Sequence, residues 1–222
     1  MLLKMMLIFL SGSFTKVSEN NIHDFVFPKD LPVVSVTDNI GALNRLFSRD
    51  FDTYVNTVVV WNKLYKRSLF DGICYPIGKL SEDEFTTYQL LYRAKKFVTT
   101  SEVIHAYVQR SSSIMGKQFA AKRFDVLDAY EQALVFFEYR SLFEIEMKCF
   151  ARYLETIIEF VEKAYKSGSS TTSDMLCMLY YRFDLLWPRI CSFFENHPEL
   201  AENKNYFDSL QDSYNDWQQK VK

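Results

Sequence analysis

Basic charge, cysteine and long apolar runs are all scarce in this chain, and each scarcity removes a class of function. Lys and Arg number 26 against 28 Asp and Glu, for a net charge of -2, so no bulk positive field draws nucleic acid and none is expected as a partner. The four cysteines, Cys74, Cys149, Cys177 and Cys191, form no C-x-x-C pair. They indicate neither a disulfide framework nor a zinc site and suit a reducing cytoplasm. The opening apolar run, Met5 to Leu10, stops at Ser11 and Gly12. It is shorter than a signal-peptide core and far short of the roughly 20 residues of a membrane span, so a buried β-strand is expected there. Glycine is thin too: six residues, scattered, with no G-x-G-x-x-G and hence no glycine-rich phosphate loop.

What is present is the composition of a folded protein, 48% hydrophobic and 24% charged over 222 residues. Residues 1–116 mix strand and helix signals. Met5–Leu10, Val33–Val36, Asn56–Trp61 and Val103–Gln109 read as strands and Asn39–Ser48 as a helix. Residues 117–222 read as helical. Phe143, Met147, Phe150, Leu154, Ile157, Ile158, Val161 and Tyr165 form one apolar stripe, with further helices expected over Ser173–Asn196 and Glu199–Lys222. The expected fold class is an α/β domain with a mixed sheet, followed by an all-α C-terminal tail or small bundle. Aromatic residues at helical spacing are read as packing; docking of part of the stripe on a membrane surface or a partner helix stays open, although mixed Glu and Lys faces weaken the membrane version.

The segment "KLSEDEFTTYQLLYRAKKF", Lys79 to Phe97, has two readings. Ser81 and Glu84 have the spacing of a capping box, with Glu82 and Asp83 in the first helical turn and Phe85, Leu90, Leu91 and Ala94 on the buried face. Alternatively, the carboxylates belong to an active site.

The ordered set Trp61-Asn62-Lys63-Leu64-Tyr65, Pro76-Ile77-Gly78, Glu82-Asp83, and Tyr107 to Met115 with Arg110 and Ser113 resembles the second half of the catalytic domain of bacterial family 2 glycosyltransferases. The resemblance implies an A-type nucleotide-sugar transferase fold and an inverting transfer. Asp83, with Glu82 beside it, would be the catalytic base that takes the proton of the acceptor hydroxyl. Arg110 and Ser113 would lie near the donor diphosphate, and Trp61 and Lys63 on the acceptor side. The segment Ser111 to Gly116 would suit a mobile lid. His105 is expected to be packed rather than catalytic.

The family's metal motif, D-x-D, holds a divalent ion (Mn or Mg) on the donor. The one instance here, Asp50-Phe51-Asp52, lies 31 residues before Asp83 and follows a helix-like stretch. It reads as a solvated loop, and no metal ligand is assigned to this chain. The resemblance covers the acceptor half, with Met1 falling shortly after the place of the metal motif. The implied partners are a nucleotide-sugar donor and a surface-glycan or lipid-linked acceptor, and the implied location is the cytoplasm, at the inner face of the membrane in one version. The alternative is an inactive remnant or an interaction subunit that complements a separate donor-binding chain. Strand edges left bare by a missing half would also favour self-association.

Overall fold

The computed structural model describes residues 8–110 and 119–221. Its contacts divide the chain into two compact units, Met1–Lys117 and Gln118–Lys222.

The first unit is built on a four-stranded mixed sheet in the order β2-β4-β1-β3, with β1 at Ile8–Ser18, β2 at Val34–Thr37, β3 at Lys63–Tyr65 and β4 at Lys96–Gln109. β1 runs parallel to β4 and antiparallel to β3; β2 is antiparallel to β4. Phe9 lies opposite both Tyr65 and Phe97, and the three rings pack at centroid distances of 4.5 and 4.9 Å. This is the sheet's contribution to a core completed by Leu43, Leu46, Leu90 and Leu91 from α1 (Asn39–Leu46) and α3 (Thr87–Arg93).

Strands were expected near Met5–Leu10, Val33–Val36 and Val103–Gln109; β1, β2 and β4 lie there, with Met5 to Leu7 outside the described residues. Both long strands extend further than their most apolar stretches, because parallel pairing of β1 with β4 carries polar residues such as Ser13, Thr15 and Thr99 along with it. The expected strand Asn56–Trp61 is corrected. Asp50, in extended conformation, accepts the N–H of Thr53 and starts a helix, α2 (Phe51–Val58), which carries Asn56 to Val58. Only Lys63–Tyr65 is left to pair with β1. The β-branched run around Val58 is ambiguous between the two periods, and the Asp50 cap decides it.

β2 is an outer strand; it leaves Val34 60% and Val36 57% exposed, and the chain leading into it leaves Leu31 92% and Val33 72% exposed.

The second unit is helical: α4 (Asp125–Glu138), α5 (Phe143–Ser167), α6 (Thr172–Asn196) and α7 (Lys204–Val221). α5 is the central helix, packed by α4, α6 and α7. Its buried surface is therefore wider than one stripe and includes Ile145, Cys149, Tyr153 and Phe160. Tyr165, expected in the stripe, is 46% exposed and leans on Trp217. α6 runs through Pro188, which has no N–H to offer the Asp184 carbonyl. The last helix begins at Lys204, after a 3-10 stretch over Pro198–Asn203. Among the described residues no helix is long and apolar enough to cross a membrane.

Candidate active site

The sheet places Lys63 by a reciprocal clamp one residue before it. β1 changes register at Gly12, whose N–H donates to the carbonyl of Asn62 at 2.9 Å, while the Asn62 amide donates back to the Gly12 carbonyl at 2.8 Å. Asn62 is left-handed, at φ 57°, a conformation asparagine tolerates better than most residues. The same amide reaches Asn56 Oδ1 at 2.5 Å.

Lys63 then turns toward the C-terminal end of α2. Its ammonium donates to the carbonyls of Asn56 (2.7 Å) and Val59 and to Asn62 Oδ1 (3.0 Å). Three acceptors around one nitrogen call for an ammonium, and a cation there complements the negative end of the helix. Burial pulls the group down to about 7, while Asp83 acts in the opposite direction. Thr87, fully buried at the start of α3, donates to Val58 O at 2.8 Å. The end of α2 is thus tied to β3 and α3 together, and this fixes the loop between them.

Asp83 sits in that loop, half-buried. The expected capping box is corrected here. Ser81 has φ 56° where an N-cap is extended, and residues 82–86 form turns before α3 opens at Thr87. The buried Glu84 accepts the hydroxyl of Tyr54 on α2. Gly78 at φ 74° and Ser81 both take left-handed backbone within four residues, and Asp83 lies within electrostatic reach of Lys63. The Asp83 carboxylate accepts the Glu84 N–H at 3.1 Å. Burial, then the neighbouring Glu82, raises it from 3.8 to about 6 against the opposing pull of that N–H and of Lys63. A carboxylate balanced near neutrality suits proton transfer from a hydroxyl.

Two residues without an assigned role complete the cluster. The hydroxyls of Tyr65 and Tyr75 are buried and interact with no side chain or backbone group but each other. Burial raises both phenols; the link between the two hydroxyls pushes Tyr65 up and Tyr75 down, and Asp83 raises both further. Paired only with each other, the two hydroxyls keep one O–H free for a further polar group beside the carboxylate. Tyr65 lies inside the Trp61 to Tyr65 motif and Tyr75 directly precedes Pro76, so both were in view; aromatic periodicity alone does not separate them from core residues.

Arg110 is placed elsewhere. Lys63 pairs with Ser11, whereas Gln109, next to Arg110, pairs with Ser18. Seven residues of strand, roughly 23 Å at 3.3 Å each, lie between those levels. There Arg110 faces Glu19 at 3.9 Å, both well exposed. Ser113 and the expected lid lie outside the described residues. His105 is packed against Trp61, ring centroids 4.5 Å apart.

Among the described residues a divalent ion finds no fitting donor set. Asp50 is occupied as the cap of α2, and its link to Thr53 holds its carboxyl below the usual range. Among the described residues no cluster of His, Cys, Asp and Glu is arranged to hold a metal. The Asp50-Phe51-Asp52 stretch is solvated, as expected, but starts a helix rather than forming a loop.

No family model matches the chain. Over 79 residues it is 28% identical to Glycosyltransferase GlyA of Streptococcus pneumoniae serotype 4, a stretch that is 36% of this chain and 11% of that protein. The chain is therefore related, over part of its length, to a glycosyltransferase, and it spans only a small fraction of that relative.

Proposed function

We propose that this chain carries the acceptor side of an inverting, nucleotide-sugar-dependent glycosyltransferase of the family 2 type, building a surface glycan on a free or lipid-linked acceptor. The observation that carries the reading is the Asp83 carboxylate, half-buried and raised to about 6 between Glu82 and Lys63. The acceptor oxygen attacks the anomeric carbon and its proton passes to Asp83. The bond from that carbon to the nucleotide diphosphate breaks, and its electron pair leaves with the diphosphate. The hydroxyls of Tyr65 and Tyr75, which meet only each other, are suited to orient the acceptor. Donor binding, and any divalent ion it uses, draws on groups other than those described above.

The test is nucleotide release from a panel of nucleotide sugars with glycan acceptors, comparing the native protein with Asp83→Asn. Loss of turnover with donor binding retained supports the reading. Undiminished turnover in Asp83→Asn removes Asp83 as the base.

The apolar edge at Leu31, Val33, Val34 and Val36 favours a second reading, a subunit that completes a separate donor-binding chain. Activity that arises only on mixing the two chains distinguishes it.

A further inference from the structure

Four rings gather on one face of the sheet around Trp61, the residue that the resemblance puts on the acceptor side. Phe14 on β1 lies opposite His105 on β4, and Tyr107 follows two residues on, so the three project to the same side. Trp61 lies across them. It stacks on His105 at 4.5 Å and 23° and on Tyr107 at 5.3 Å and 24°, and meets Phe14 edge-on at 5.0 Å and 89°. None of the four is fully buried. Lys16, opposite Tyr107 in register, stands at the rim of the same face. Its ammonium lies 5.0 Å from the centre of the Phe51 ring and 3.8 Å from Asp52, with both charged side chains largely exposed.

A core would bury such rings, and a solvated sheet face would not collect them. A flat aromatic surface with an exposed cation and carboxylate at its edge is complementary to one class of small molecule. A pyranose presents axial C–H groups on one face and hydroxyls around its rim. The C–H groups lie against the electron-rich face of an aromatic ring, while charged groups take the hydroxyls. We infer that Trp61, supported by His105, Tyr107 and Phe14 and rimmed by Lys16 and Asp52, is a stacking platform for one pyranose ring of the acceptor glycan. The inference rests on the glycosyltransferase reading and deepens it. Trp61 lies two residues before Lys63, across the left-handed Asn62. His105 and Tyr107 stand level with Phe14 and Lys16, three and five residues along β1 from the Ser11 that pairs with Lys63. An acceptor held there spans roughly 10–16 Å of strand to reach the Lys63 level and the Asp83 loop. His105 and Tyr107 act by holding the indole plane.

Saturation-transfer NMR on the intact chain tests this, with methyl β-glucopyranoside and methyl β-galactopyranoside as probes and sorbitol as an acyclic polyol of similar hydroxyl content. The expected result is transfer to the ring protons of one face of a pyranoside, none to sorbitol, and at least a fivefold drop in Trp61→Ala. Trp61→Phe should keep part of the signal, and Trp187→Phe, in the other unit, all of it. Transfer to sorbitol equal to that of the pyranosides overturns the platform, as does full transfer in a folded Trp61→Ala. Should Trp61→Ala fail to fold, Lys16→Met and Asp52→Asn, both at exposed side chains, decide: reduced transfer supports the platform and unchanged transfer overturns it. Asp83→Asn separates the two readings, because it should leave saturation transfer intact. Sugar binding without Asp83-dependent turnover leaves the platform standing and the base assignment fallen; turnover without binding at Trp61 does the reverse.

Discussion

Gly12 and Asn62 hold each other through two hydrogen bonds, N–H to carbonyl at 2.9 Å one way and side-chain amide to carbonyl at 2.8 Å the other. Everything on the Asp83 side of the sheet hangs from this pair, because Asn62 also receives Lys63 and reaches Asn56. Replacing Asn62 by Ala removes these side-chain bonds and leaves a Cβ-bearing residue in the left-handed region. The bonds are worth about 1 kcal/mol each and the strain about 1 kcal/mol. Asn62→Ala is expected to cost about 4 kcal/mol in urea unfolding and Asn62→Gly roughly 1 kcal/mol less, the difference isolating the strain. Equal losses would remove the backbone from the account.

Asp83 sets activity against stability. Its carboxyl is raised from 3.8 to about 6, so the folded state binds the proton more tightly than the unfolded chain. Stability therefore falls as pH rises from about 4 to 6, and the ionised carboxylate at pH 7 is held at a cost of about 1 to 3 kcal/mol. Asp83→Asn should melt higher than the native protein at pH 7 and equally at pH 4. Activity should rise through pH 6 in the native protein. A melting point lowered at pH 7 would mean that the carboxylate is a structural partner.

Much of this was legible in the sequence, and the misreadings have definite causes. The strand at Val34, the helix at Asn39 and the buried face of Phe85, Leu90, Leu91 and Ala94 follow from local pattern, and the structure has them. The Ser81-to-Glu84 spacing matched a capping box, yet the tertiary partner Tyr54 takes Glu84 and the positive φ of Ser81 delays the helix to Thr87. Spacing encodes what is locally available; it does not register a hydroxyl arriving from 30 residues earlier. For the same reason the convergence of Tyr65 and Tyr75 on Asp83, and of Phe14 and Tyr107 on Trp61, has no local signature. Those pairings depend on β1 lying between β3 and β4.

Tyr75 offers a test of the site that does not depend on the base. Its buried hydroxyl meets only that of Tyr65, so Tyr75→Phe removes one buried polar group but strands the other and should lie within about 1 kcal/mol of the native protein in thermal melts. If the hydroxyl serves the acceptor, the same variant raises the acceptor KM several-fold with the donor KM unchanged. A stability loss above about 1 kcal/mol would show that the hydroxyl is already satisfied within the fold.

The helical unit carries its own titratable weak point. Glu146 on α5 is 5% exposed. Burial, then Glu138, raises its carboxyl from 4.5 to about 7, opposed by Arg189. Arg189 is already engaged by Glu131 at 2.6 Å and lies over the Phe150 ring, so it cannot serve Glu146 fully. The sign follows as for Asp83: stability declines as pH rises from about 4.5 to 7, and above that the buried carboxylate is fully charged. Glu146→Gln keeps the shape without the charge. It should raise the melting point of this unit at pH 8, by about 1 to 3 kcal/mol in free energy, and leave it unchanged at pH 4. Circular dichroism melts at the two pH values, with Glu138→Gln as a partial mimic, check this. A Glu146→Gln protein destabilised at pH 8 would mean that its carboxylate holds Arg189 in place, and that Glu131 is the spare partner.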